Sequence, residues 1–159
     1  MVPYGLNKDQ FTSMYRQKLD RVSPIAIQTI QNCLQRPLEA GVTSANVVVF
    51  PGAYGASPSA WIYYSGDHNR VDHADPSLSA GRSMELPVGL EAMDDIDERY
   101  FTDAEEFDGV ALTVPLLSRW LAECWWKAGG WNYPVPTLLF VDEFGTVGRE
   151  VLSEVGKSA

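Results

Sequence analysis

The sequence has few cysteines, few basic residues and no long apolar run, and each shortage excludes a class of protein. Its 159 residues include two cysteines, too few for the disulfide framework of a small secreted protein. The longest apolar runs, residues 47–50 and 138–141, are far too short to span a bilayer. Residues 1–10 lack the apolar core of a secretory signal. We therefore expect one cytoplasmic globular domain over residues 1–159.

The charge of the chain is concentrated in one segment. The protein carries 12 basic and 21 acidic residues, a net charge of −9 that repels nucleic acid and anionic membranes. Nine of the acidic residues and a single basic one, Arg99, lie in residues 91–108, so this acidic segment carries −8 and the rest of the chain −1. A local field of one sign attracts a positive partner. We interpret the segment as a docking face for a basic protein, with a solvated loop as the alternative.

Two helices are predicted in the N-terminal third. Asn7 with Gln10 three residues later forms a capping-box pattern, and apolar residues then recur at helical spacing as far as Val22. Ser23 followed by Pro24 repeats the start signal, an N-cap residue before a proline at the first helical position. The sequence therefore predicts one helix that ends near Val22 and a second that begins directly after it.

Strands are predicted in the middle and near the end of the chain. Residues 46–50 form a β-branched and aromatic run that is typical of a strand buried on both faces. Residues 60–64 are close enough in sequence to pair with it antiparallel, and 82–88, 136–141 and 146–152 are further candidates. Because helices and strands do not alternate strictly, the predicted fold class is α+β with a central, mainly antiparallel sheet.

The acidic segment has an apolar periodicity of its own. Leu90, Met93, Ile96 and Tyr100 recur every three or four residues and are candidates to anchor an amphipathic helix with carboxylates outside. Like charges at this density oppose helix formation unless a partner is present. The spacing lacks the glycine and terminal glutamate of an EF-hand, so a calcium loop is not predicted.

A helix predicted over residues 114–128, packed on the sheet, contains most of the tryptophan. One stripe of it forms core: Val114, Leu117, Trp120, Leu121, Cys124, Trp125 and Ala128. Trp126 lies about 140° from Leu121, beside Arg119. It is either an interface anchor or the second buried side of the helix. The predicted partner-binding residues are Asp94, Asp95, Asp97, Glu98, Asp103, Glu105, Glu106 and Trp126.

Both histidines lie in one polar loop, residues 66–75. Imidazole and carboxylate groups are ligands for zinc and other divalent metals, so the alternative metal site would use His68, His73, Asp72 and Asp75. The five-residue spacing of the histidines matches no standard ligand pattern, and no cysteine is near. We therefore expect no metal, no cofactor and no catalytic residue, with a small metal-dependent hydrolase as the alternative function.

Residues 117–130 (LSRWLAECWWKAGG) followed by 136–142 (PTLLFVD) resemble the C-terminal part of small bacterial proteins found among toxin-immunity proteins. The resemblance covers only this part of the chain and is a helix-to-strand packing pattern with no catalytic signature. It implies a cytoplasmic α+β protein that binds and blocks a cognate toxin. Together with the acidic segment, it leads us to expect a non-catalytic binding protein that neutralises a basic toxin.

Overall fold

The computed structural model describes residues 2–38, 41–52, 57–66, 83–102, 106–141 and 149–154. Its helices and strands, in chain order, are α1 (Lys8–Leu34), β1 (Val42–Phe50), β2 (Ser59–Gly66), β3 (Ser83–Leu86), α2 (Arg99–Thr102), α3 (Gly109–Lys127), β4 (Thr137–Val141) and β5 (Glu150–Ser153). Two short 3₁₀ helices, Leu90–Asp95 and Gly130–Asn132, precede α2 and β4. The α+β class is confirmed. None of the helices in these ranges combines the length and the apolar character needed to cross a membrane.

The strands form one mixed sheet in the order β3-β2-β1-β4-β5. The β1–β2, β2–β3 and β4–β5 pairs are antiparallel, whereas β1 and β4 are parallel. The predicted mainly antiparallel sheet is therefore confirmed, with one parallel pair at its centre. That pair is possible because the long connection between β1 and β4 contains α3, which packs back onto β4 and β5.

Strand β1 is buried on one face only, and the prediction of two buried faces was wrong. Ala45, Val47 and Val49 are buried, whereas Val48 and Phe50 are half-buried. The buried side faces the helices, since Cys33 of α1 contacts Tyr64, which pairs with Ala45 across the β1–β2 ladder. The apolar run therefore reflects β-propensity on both faces, and the helical layer covers only one of them.

The two predicted N-terminal helices are one continuous helix, α1. Its start is as predicted, because Asn7 and Gln10 form a complete capping box. Ser23 does not cap a new helix: its hydroxyl donates to the carbonyl of Leu19 (3.0 Å) and accepts from the Trp120 indole (2.8 Å). Pro24 is tolerated inside the helix because residues on both sides of it bury the same stripe against the core.

Helix α3 begins five residues before its predicted start. Asp108 caps it by accepting hydrogen bonds from the amides of Val110 and Ala111 (3.0 and 3.2 Å), so Thr113 and Pro115 lie inside the first two turns. The predicted end is confirmed, since Gly129 adopts φ 92°, a left-handed conformation that favours glycine. The predicted core stripe is also confirmed: every member is buried except Ala128, which is partly buried.

Helices α1 and α3 pack side by side and run parallel. Phe11 contacts Phe107 just before α3 (ring centroids 5.2 Å apart), and Ser23 further along α1 bonds Trp120 further along α3. The 3₁₀ helix Leu90–Asp95 contacts α1 as well. Lys18, which bonds Asp95, and Ser23 are five residues apart, about 140° around α1. The 3₁₀ helix Leu90–Asp95 and α3 therefore lie on different flanks of α1, whereas the acidic segment ends at Asp108, the residue that caps α3.

Candidate partner-binding site

The acidic segment is anchored by the four apolar residues that its periodicity indicated. Leu90, Met93, Ile96 and Tyr100 are all at least 93% buried. The backbone is not a single amphipathic α-helix, however. It is a 3₁₀ helix as far as Asp95, an extended residue at Ile96 and the four-residue helix α2. The helix is interrupted because Ile96 forms a parallel β-bridge with Val2.

Lys18 of α1 holds the end of the 3₁₀ helix. Its ammonium group donates to the carboxylate of Asp95 (2.5 Å) and to the carbonyl of Ala92 (3.3 Å). A cation at the carbonyl end of a helical turn satisfies unpaired acceptors and complements the helix dipole. The bond with Lys18 is also the largest cause of the lowered pKa of Asp95. Thr29 adds a second attachment, donating to the carbonyl of Pro87 (3.1 Å).

Residues 2–6, here called the N-terminal strap, hold Asp95 from a second side and also hold α2. The amide of Val2 donates to the carbonyl of Asp95 (3.0 Å). The hydroxyl of Tyr100 donates to the carbonyl of Pro3 and accepts from the amide of Leu6 (3.0 Å). The guanidinium of Arg99 lies 4.2 Å from the ring centroid of Tyr4, a cation–π contact. The segment is thus tied to α1 and to the strap.

An aromatic cluster around Tyr100 stabilises the attachment of the acidic segment to α1 and to the strap. The ring of Tyr100 packs against Phe11 of α1 (centroids 4.7 Å apart), Tyr4 of the strap (5.0 Å) and Phe107 before α3 (6.1 Å). Because Phe11 and Tyr100 are essentially fully buried, the cluster belongs to the main core. The backbone of residues 90–102 therefore cannot shift without opening core contacts.

The predicted partner-binding carboxylates fall into distinct environments. Asp94, Asp95, Glu98 and Glu106 are exposed. Asp97 is half-buried and accepts two hydrogen bonds from the Arg99 guanidinium (2.9 and 2.7 Å), which lower its pKa to about 2. Predicted residues Asp103 and Glu105 lie outside the described residues. The exposed carboxylates thus stand on an anchored backbone, with Asp95 and Asp97 held by cations of the chain itself.

Trp126, the remaining predicted residue, lies away from the acidic segment. It is about 120° around α3 from Trp120, which faces α1. Its ring contacts Trp131 edge-on (6.5 Å) and lies 5.2 Å from the guanidinium carbon of Arg119, which also bonds Glu150 of β5 (3.4 Å). Trp126 is half-buried, whereas Trp131 is 46% exposed. The aromatic and acidic surfaces therefore do not form one site.

The predicted alternative metal site, His68, His73, Asp72 and Asp75, lies outside the described residues. Within the described ranges, no group of three His, Cys, Asp or Glu side chains is placed to hold a metal ion. Both cysteines, Cys33 and Cys124, are buried and free, and burial raises the pKa of each thiol. A raised pKa leaves little thiolate at neutral pH, which is the chemistry of a structural thiol and opposite to that of a nucleophile.

Several residues that hold the site were not singled out by sequence reasoning. The sequence around Lys18 does not indicate its ion pair with Asp95, because it is an ordinary lysine on the polar face of a helix. The N-terminal strap had only a weak sequence signal, since Val2 is an apolar residue followed by proline.

Comparisons with protein-family profiles, with curated proteins and with solved structures gave no match.

Proposed function

We propose that this protein is a non-catalytic binding protein whose acidic segment captures a basic protein. One observation carries the proposal: Asp94, Asp95 and Glu98 are exposed on a backbone whose apolar side is buried and hydrogen-bonded to α1 and to the strap. A partner that binds carboxylates held in this way pays little ordering entropy. The local field also accelerates its encounter with the surface.

We further propose that the partner is a toxin and that the protein acts as its immunity protein. The resemblance of residues 117–142 to proteins found among toxin-immunity proteins supports this role. In the fold, that stretch forms most of α3 and all of β4, which are core elements. The resemblance therefore supports a common architecture, and it assigns no docking residue by itself.

The first test is the neighbouring gene. A large secreted toxin with a basic C-terminal domain, encoded immediately upstream, would supply the partner for binding experiments. If that domain forms no complex with this protein, the immunity role is excluded for the pair. A complex whose affinity is insensitive to salt would contradict the electrostatic docking face.

Charge-neutralised variants test the docking face directly. The double variant Asp94→Asn/Glu98→Gln removes two exposed carboxylates that make no ion pair within the described residues. We expect the association rate at low salt to fall at least severalfold, with a smaller change in the dissociation rate. The matched control, Glu85→Gln/Glu154→Gln, removes two exposed carboxylates elsewhere and should leave the rate nearly unchanged. Equal rates for both double variants would refute the proposal.

A further inference from the structure

A groove of about 670 Å³ runs between α1 and α3 on the surface of the helical layer. Its apolar floor is formed by Leu19 of α1 and by Leu112, Leu116 and Trp120 of α3. Leu19 and Trp120 are buried, but Leu112 and Leu116 are only half-buried. The groove is distinct from the 3₁₀ helix Leu90–Asp95 of the acidic segment, which is attached to the other flank of α1 through Lys18.

The wall formed by α3 is itself an apolar ridge. Leu112, Pro115 and Leu116 follow the i, i+3, i+4 spacing of one helix face, and Pro115 is exposed. Leu112 and Leu116 also pack against the core beside Trp120, so the apolar face of α3 extends beyond its core stripe as far as the exposed Pro115. The solvent side of a helix in a monomeric domain is normally polar. A ridge beside a groove can be self-complementary when a second copy approaches about a two-fold axis.

The charges that line the groove are balanced. Among the described residues, its lining contains three cations and three anions: Lys8, Arg16, Arg119, Asp9, Asp20 and Glu123. The lining is thus neutral in a chain whose net charge is −9. Arg119 and Glu123 pair with each other (3.3 Å), whereas Lys8, Asp9, Arg16 and Asp20 form no ion pair within the described part of the chain. A surface with equal numbers of both signs can match itself.

We propose that the protein forms a two-fold homodimer in which the outer faces of α1 and α3 pack against the same faces of a second copy. The ridge of each copy, Leu112–Pro115–Leu116, inserts into the groove of the other, and four helices make the interface. Unpaired rim charges of each copy meet charges of opposite sign on the other. Because the 3₁₀ helix Leu90–Asp95 lies on the far flank of α1, the dimer leaves the exposed Asp94 and Asp95 open to a basic partner. The proposal is independent of that partner.

Sedimentation equilibrium of the purified full-length protein tests the dimer. We expect a mass that approaches twice 17.6 kDa as concentration rises. Moderate salt should change the dimer little, since it screens the attraction between rim charges as well as the repulsion between two chains that each carry −9. Salt should weaken a complex with a basic partner, so the two associations are distinguishable. A mass of one chain at every attainable concentration would overturn the proposal.

Two pairs of variants locate the interface. Leu116→Glu places a charge on the ridge and should raise the dimer dissociation constant at least about a hundredfold. Its control is Ile25→Glu, because Ile25 is 55% exposed but lies beside Gly89 on the other flank of α1. Arg16→Glu changes the groove lining from neutral to −2 and should weaken the dimer at least about tenfold.

Arg21→Glu makes the same charge change on an exposed residue of α1 outside the groove, and it should leave the dimer intact. Arg16 is also exposed, so its variant tests the interface even if Leu116→Glu fails to fold. A dimer that survives Arg16→Glu as well as it survives Arg21→Glu would use another surface and would overturn the proposal.

Discussion

Lys18 and Tyr100 are the residues that convert a dense run of carboxylates into an ordered surface. Lys18 neutralises Asp95 and satisfies a backbone carbonyl with the same ammonium group. The Tyr100 hydroxyl donates to one strap residue and accepts from another, while its ring is buried. Each side chain thus joins the segment to another element, which offsets the repulsion among its neighbours.

The titration of Asp97 should report its bond with Arg99. Because the folded pKa, about 2, lies below the ordinary value of 3.8, the bond favours the folded state above pH 3.8. That contribution is lost as the pH falls toward 2. We expect Arg99→Met to return the pKa of Asp97 toward 3.8, as measured by ¹³C NMR of the carboxyl carbon. The control Lys127→Met should leave the pKa of Asp97 unchanged. If the pKa of Asp97 also stays unchanged in Arg99→Met, the bond between the two residues is excluded.

Trp125→Ala should cost more stability than Trp126→Ala. Trp125 is fully buried, and emptying a site of that size costs about 3–5 kcal/mol. Trp126 is half-buried, with one side against Trp131 and Arg119 at the surface, so its loss should cost clearly less. Denaturant midpoints of the two variants decide the order. Equal losses would show that α3 is buried on both sides at this level.

The histidine loop should bind no divalent metal stoichiometrically. The motivation is its sequence, in which the spacing of His68 and His73 matches no standard ligand pattern. Metal analysis of protein purified without chelator is the measurement. One equivalent of zinc that disappears in the His68→Ala/His73→Ala double variant would instead favour a metal-dependent hydrolase.

Helix α1 shows how an element can override a local stop signal. Pro24 lacks an amide to donate to the carbonyl of residue 20, and its ring crowds that turn. The helix continues because Val22, Ala26 and Ile30 are buried on one stripe that passes the proline. Ser23 further ties the turn to α3 through Trp120. Tertiary packing of the stripe therefore outweighs the local cost of the proline.

Replacing Pro24 should stabilise the protein. Pro24 is exposed and helical, so Pro24→Ala restores a backbone hydrogen bond without removing a core contact. The intrinsic difference between the two residues inside a helix is about 3 kcal/mol, and we expect a gain of up to that size. Ser13→Ala, at an exposed position of the same helix, is the control and should change stability by less than about 0.7 kcal/mol. A loss of stability in Pro24→Ala would mean that the bend at Pro24 is required for packing.

The whole molecule has different surfaces on the flanks of its helical layer. The 3₁₀ helix of the acidic segment lies on one flank of α1, and the neutral groove lies between α1 and α3. The Trp126–Trp131 pair lies beside β5, on the side of α3 that faces away from α1. The proposed dimer interface and the proposed docking face for a basic partner are therefore different surfaces. A second copy and a basic partner could bind at the same time.

The free energy of unfolding should rise with salt at low ionic strength. The acidic segment has nine carboxylates in 18 residues, and their repulsion is only partly offset by Lys18 and Arg99. Asp94→Asn/Glu98→Gln should therefore match or exceed the wild-type stability by a few tenths of a kcal/mol per charge removed. Chemical denaturation at two salt concentrations measures both effects. A clear loss of stability in this variant, but not in Glu85→Gln/Glu154→Gln, would mean that these carboxylates hold the fold.

The features that the sequence determined by itself are those set by neighbours in the chain. The capping box at Asn7 depends on a spacing of three residues, and the end of α3 depends on the glycine at position 129. The buried stripe of α3 and the four anchors of the acidic segment follow from helical periodicity. The α+β class follows from the order of such elements, because each buries the face that its pattern marks as apolar.

Tertiary structure decided the features that join distant parts of the chain. Because of tertiary packing, α1 continues past Pro24, β1 and β4 are parallel, and one face of β1 is only half-buried. Tertiary packing also determined which carboxylates are free, because the partners of Asp95 lie 77 and 93 positions away, at Lys18 and Val2. Such contacts form only when the chain closes long loops, and the entropic cost of closing them is offset by burial of the whole core. A local sequence pattern contains no information about contacts between distant residues. The acidic site and the groove are therefore determined by the tertiary structure.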